Sequence, residues 1–292
     1  MRVGFLATLL ALSLAGVPAH AEPDWKAVAQ ALGKEGAVQG GGVYRVGLPR
    51  SDLKVKLDGV DLKPGFALGS WLAFMSMGNE AMAMGDLVLT GEEVNPVMKK
   101  FLENGIEITA LHNHLLRAEP PTVYMHVSAH GDPLKLAAAF HEGLALSGTP
   151  LGPNPSAPQA SVDLDTGALD AALGFKGKAN GAIYAFSIPR AEAVKEEGMT
   201  LPEAMGSAIG INFQATGAGK AAITGDLVLI ASEVNPVLRA LRENGIEVTA
   251  VHNHMLDDEP RLFFMHFWAN DDAQRLAKGM RAALDKIAVK KN

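Results

Sequence analysis

The runs Leu111-His112-Asn113-His114 and Val251-His252-Asn253-His254 each place two imidazoles at i and i+2. In a strand that spacing projects both rings from one face. Glu119 and His126 follow the first run, and Glu259 and His266 follow the second at the same intervals. Two imidazoles with a nearby carboxylate and a third imidazole make a nitrogen and oxygen donor set suited to Zn, Cu, Ni, Mn or Fe. The expectation is a divalent transition-metal site with His112, His114, His252 and His254 as primary ligands, and Glu119, Glu259, His126 and His266 in support. Six of the nine histidines belong to this constellation. The interval H-x-H-x4-E also matches the first half of a cupin metal motif, but His126 comes seven positions after Glu119 and the second motif's glycines are missing. The contiguous His-Asn-His differs from the HNH nucleases, whose residues are dispersed over a ββα unit.

Strand parity qualifies this picture. Ile106, Ile108, Ala110, His112 and His114 share a face, and the matching stripe on the partner strand is Val123, Met125 and Val127, which turns His126 away. A bulge or a one-residue slip brings it back. Other readings of the same residues are metal-free acid-base hydrolysis of a phosphate ester, and a non-catalytic envelope module that binds a small-molecule ligand, peptide, glycan or partner protein. Duplicated phosphoesterases use two His-x-Thr/Ser motifs across a cleft, whereas here histidine stands where the hydroxyl residue should be. Met75, Met77, Met82 and Met84 become Ala215, Gly217, Ala222 and Thr224 in the second run, so packing explains them better than Cu(I) binding. Asp86 and Asp226 follow glycine in apolar strands and read as structural buried carboxylates. Arg50 and Arg190 end strands after proline and read as solvent-facing. His130 and His141 become Asn270 and Arg281. No P-loop, dinucleotide fingerprint, G-x-S-x-G or H-E-x-x-H occurs.

The elements that position these residues occur twice. Residues 85–126 and 225–266 align at a constant offset of 140 with 25 identities in 42 positions and no gap, which is a tandem duplication. The pattern predicts a signal peptide over 1–21, repeat copies over 22–148 and 166–292, and a proline-rich linker over 149–165. Within the first copy, helices are expected over Asp24 to Gly36, from Asn95-Pro96 to Asn104-Gly105, and from Asp132-Pro133 through Leu146. Strands are expected over Val43 to Leu48, Lys54 to Leu57, Trp71 to Met77, Ala81 to Leu89, Ile106 to His114 and Thr122 to Ala129. The expected class is α+β, each copy made of antiparallel strands followed by a ferredoxin-like βαββα unit.

Composition narrows the setting. The 292 residues are 48% hydrophobic and 20% charged, with 26 basic and 32 acidic side chains, an acidic balance that gives a nucleic-acid partner no electrostatic support. The absence of cysteine excludes disulfides, thiolate ligands and a lipoprotein anchor. Met1-Arg2, an apolar run from Phe5 to Val17 and Ala19-His20-Ala21 predict export with cleavage after Ala21, leaving an acidic periplasmic or secreted protein without a membrane anchor. With G-V-Y-R-V-G-L-P-R, G-D-L-V-L-T-G-E-E-V-N-P-V and N-G-I-E-I-T-A-L-H-N-H-L-L all present, nearly the whole chain after residue 21 resembles the LppY/LpqO family of secreted bacterial proteins. That resemblance implies export and a domain of unknown function. The lipid anchor of its mycobacterial members does not carry over.

Overall fold

A computed structural model describes residues 22–153 and 161–291; the expected signal peptide and part of the expected linker lie outside them. The first copy runs α1 (Trp25–Leu32), β1 (Ala37–Val38), β2 (Tyr44–Pro49), β3 (Lys56–Leu57), β4 (Val60–Asp61), α2 (Pro64–Ala67), β5 (Gly69–Met77), β6 (Glu80–Thr90), α3 (Gly91–Glu103), β7 (Glu107–His112), β8 (Thr122–Gly131) and α4 (Pro133–Leu144). The second repeats it as α5 (Thr166–Leu173), β9 (Lys178–Asn180), β10 (Ile183–Ile188), β11 (Lys195–Glu196), β12 (Met199–Thr200), β13 (Ile209–Gly217), β14 (Lys220–Ile230), α6 (Ala231–Glu243), β15 (Glu247–His252), β16 (Asp258–Glu259), β17 (Leu262–Asp272) and α7 (Ala273–Leu284). Each copy forms one six-stranded sheet, ordered β1-β2-β5-β6-β8-β7 and β15-β17-β14-β13-β10-β9, and all their pairings are antiparallel. No helix among the described residues is long and apolar enough to cross a membrane.

Alternation along β6 shows how the sheets are covered. Ala83, Leu87 and Leu89 face the helices with Val97, Phe101 and Phe140. Met82 and Met84 join the other copy's core, and Val88 meets Ile183, Ala222 and Trp268 of that copy. The two sheets therefore pack face to face, with helices on the outer faces. The Met82 and Met84 side chains are buried in this packing. Gly85 and Gly225 are fixed by close strand approach: a Cβ on Gly85 would lie 2.6 Å from Leu72 Cδ2, and one on Gly225 would lie 2.0 Å from the Gly210 carbonyl oxygen. Period-two alternation then turns Asp86 and Asp226 to the interface.

Two expectations are corrected here. Helix α3 begins at Gly91, ahead of Asn95-Pro96, because the Glu93 carboxylate accepts the Thr90 backbone N–H at 2.8 Å and closes the first turn. Arg50 and Arg190 do not face solvent: they are 0% and 4% exposed. Arg50 forks onto Glu93 at 2.8 and 3.0 Å and onto Asp52 at 2.8 and 2.9 Å, and donates to the Val88 carbonyl. Arg190 repeats this with Glu233, Glu192 and Val228. Arg50 ties the end of β2 to the start of α3, and Arg190 ties the end of β10 to the start of α6. Burial opposes ionisation of Glu93 and Glu233, but their bonds to these arginines win and hold both below the usual carboxylate range. Removing one partner of a buried pair costs about 3–5 kcal/mol. Arg50→Met is expected to lower stability by about that much in denaturant unfolding, and Arg50→Lys to recover little of it, because an ammonium cannot serve both carboxylates as a fork.

Candidate metal centre

The decisive local feature is a bulge. On β7 the register with β8 shifts between Ile108 and Ala110, so that Ile108 faces Val127 but Ala110 faces His126 and His112 faces Tyr124. Thr109 is the extra residue. Ile106 and Ile108 stay with the helix-side core, whereas Ala110 and His112 switch to the face that carries His126. Unbroken parity along Ile106 to His114 is thereby corrected. The second copy repeats the device at Thr249, pairing Ala250 with His266 and His252 with Phe264.

The sheet-on-sheet packing then merges two half-sites into one centre. His112 stacks on His252 across the approximate two-fold axis with ring centroids 3.6 Å apart. Flanking them, His114 lies tilted against His266 with centroids 3.4 Å apart, and His126 stacks on His254 at 3.6 Å. Tyr124 backs His114 at 3.5 Å, and its counterpart Phe264 backs His254 at 3.5 Å. All six histidines of the motif converge, and His114, His126, His254 and His266 are at most 9% exposed.

Donor atoms of His112, His252, His254 and His266 lie within 4.8 Å of one another, as do those of His114, Asp226 and His266. The Nε2 atoms of His126 and His112 are 3.0 Å apart, and those of His254 and His252 are 2.8 Å apart. Two nitrogens bound at about 2.0–2.1 Å to one cation are separated by roughly 2.9–3.4 Å for ligand angles between square and tetrahedral. His266 Nδ1 lies 2.9 Å from the Gly225 carbonyl oxygen and 3.1 Å from Asp226 Oδ1. The Gly225 carbonyl can only accept, so Nδ1 carries the proton and the Nε2 lone pair is left to the centre. That Nε2 is buried without a hydrogen-bond partner, as are His114 Nε2, His252 Nδ1, Asp86 Oδ1 and Asp226 Oδ1.

The supporting carboxylates differ from those expected. Glu119 and Glu259 are exposed; their main chains pair with Lys56 and Lys195, which leads the chain out of the interface after each His-x-His. The carboxylates at the histidines are Asp86, whose Oδ1 is 3.7 Å from His126 Nε2, and Asp226. The signal that could have placed them was the duplicated Gly-Asp within an apolar strand. Asp258, on the short strand β16, accepts from Arg261 and from the Leu262 amide.

Burial sets the protonation states. It pushes His112 down to about 4, and burial with the nearby His112 takes His266 down to about 3. Burial and neighbouring imidazoles hold His114, His126, His252 and His254 low as well. At neutral pH the cluster thus presents uncharged imidazoles, the form that ligates metals. Burial raises Asp86 to about 7 and raises Asp226 too. A histidine with a depressed folded pKa stabilises the fold above its unfolded value near 6.5 and loses that contribution as pH falls toward the folded value. The raised aspartates act in the opposite sense, but six imidazoles outweigh two carboxylates. Chelator-treated protein is expected to lose stability between pH 6.5 and 4 by at least about 1.4 kcal/mol per pH unit, the slope of one proton. His112→Asn is expected to flatten that slope in denaturant titrations across the range.

Comparisons with known proteins bear on the duplication. No curated protein matches the chain. Among solved structures, the trimeric bacterial microcompartment shell protein PduB aligns over 86% of this chain and 89% of its own at 11% identity, with a TM-score of 0.21, too low to carry an inference about fold. The family described as "Domain of Unknown Function (DUF1259)" matches residues 26–146 and again residues 167–286. The chain therefore belongs to that family of uncharacterised proteins and contains its domain twice in tandem.

Proposed function

We propose that this protein binds a divalent transition metal between its two halves, with His112, His252, His254 and His266 as the ligand set and Asp226 orienting His266. The observation that carries the reading is the convergence of four uncharged imidazoles from both copies, accompanied by buried nitrogen and carboxylate atoms that no protein group satisfies. An imidazole-rich set favours Zn, Cu, Ni or Fe over the harder cations. Reaction at the metal makes the protein a metalloenzyme; without it, the centre stores or senses the ion. We also infer export to the periplasm or exterior from the first 21 residues, in agreement with the LppY/LpqO resemblance. The order β6-β8-β7, with α3 linking β6 to β7, supports reading each half as a ferredoxin-like βαββα unit extended by β5.

A second reading draws on the close Nε2 pairs. Between neutral rings, His254 with His252 and His126 with His112 form hydrogen bonds, a relay suited to metal-free acid-base hydrolysis of phosphate esters.

Metal analysis of protein purified without an affinity tag separates the two. The wild type is expected to retain a transition metal after dialysis, and the variant with alanine at His112, His252, His254 and His266 to lose at least nine-tenths of it while keeping its circular dichroism. Equal metal content in both, or phosphoesterase turnover that survives chelation, defeats the metal reading.

A further inference from the structure

The centre is nearly symmetric, but its surroundings are not. A cavity of about 240 Å³ lies against it, walled by Asp86, Asp226, His114, His126 and His254. Its Arg45, Gly206, Ala208 and Gly210 also line a wider cleft of about 1130 Å³, so the two spaces share a wall at Arg45. The guanidinium of Arg45 lies over the Trp71 ring, 3.8 Å from its centroid, and Nη1 donates to the Ala204 carbonyl. In the second copy, at the offset of 140, Ala185 and Ile211 stand in place of Arg45 and Trp71. The cationic wall therefore exists on one side of the axis.

Arg45 has no ion pair among the described residues, unlike Arg50, Arg117 and Arg190. Burial draws its pKa down to about 10, and Asp86 across the inner cavity opposes that shift only in part. A desolvated cation whose charge is only partly compensated is costly. Here the indole face and a carbonyl hold the guanidinium at the wall shared by the two spaces. In the outer cleft, Lys178 and Lys290 add positive charge with no ion pair among the described residues. Of the carboxylates in the inner cavity, Asp226 lies against His266, whereas Asp86, 3.7 Å from His126, is the charge that partly compensates Arg45.

We propose that this cavity binds a small oxyanion, the phosphate or carboxylate group of a ligand that reaches the histidine centre from the outer cleft, with Arg45 as its counter-charge. A planar guanidinium pairs with either group through two parallel hydrogen bonds. The cavity is smaller than those of drug-sized ligands, which restricts the buried part to a compact group. The proposal rests on the metal reading for what happens to the ligand, and not for its capture by Arg45.

Calorimetric titrations with inorganic phosphate and with acetate, on metal-loaded and chelator-treated protein, test it. At least one anion is expected to bind the wild type, at least tenfold more tightly than it binds Arg45→Met, with unchanged metal content because Arg45 is not a ligand. Trp71→Leu, which removes the platform and keeps the charge, is expected to weaken binding several-fold. Which anion binds distinguishes a phosphate from a carboxylate ligand. Equal binding by the wild type and Arg45→Met, or no binding of either anion by the wild type, overturns the proposal. Anion binding by a wild type that retains no metal defeats the metal reading and leaves this one standing.

Discussion

Six imidazoles and two carboxylates are held between two apolar sheets, and the rest of the molecule answers to that placement. A buried polar atom without a partner costs about 1–3 kcal/mol, against a total stability of only about 5–15 kcal/mol for a typical protein. The centre contains several such atoms, among them Asp86 Oδ1, Asp226 Oδ1, His114 Nε2 and His266 Nε2. A ligand that binds them in the folded state alone offsets this cost by mass action. The outer structure is rigid in the places that keep the groups aimed: Gly85 and Gly225 permit close strand approach, and Arg50 and Arg190 lock strand ends to helix starts.

Neither half can make the centre unaided. In each, the face of the sheet opposite the helices carries Asp, two or three histidines and apolar neighbours, and it is sealed by the equivalent face of the other half. His112 against His252, His114 against His266 and His126 against His254 are all contacts between copies. Duplication in one chain fixes the stoichiometry that a dimer of single domains leaves to concentration.

Much of this was legible in the sequence because it depends on identity and spacing: the offset of 140, the strand boundaries at Gly, Pro and Asn, and the paired His-x-His. What escaped depends on geometry that residue type does not encode. Thr109 is an ordinary strand residue, and nothing in it announces that two residues of β7 oppose one of β8. That one extra residue decides whether His112 and His126 share a face. Glu119 has the right interval from His112, yet sequence distance does not show that the chain has by then turned to pair with Lys56. Arg50 after a proline looks like a surface residue until Glu93, 43 positions on, is seen to meet it.

Divergence between the copies carries information that their identity does not. If the two halves were the same, either could dock equally well on its counterpart in a second chain. Contacts made by residues that differ between the copies discriminate. Arg117, replaced by Asp257, bridges Asp58 of its own copy to Glu247 of the other. Trp268, replaced in the first copy by Ser128, donates to the same Asp58. Gln214, whose counterpart is Phe74, bonds the backbone at Asp61 and Lys63 across the interface. In a pairing of two second halves Asp257 stands where Arg117 meets Glu247 and brings two carboxylates together, so the unlike contacts penalise that assembly as well as reward the right one. The same logic applies at the centre: six shared histidines define the donor set, and the unshared Arg45 and Trp71 give it a direction.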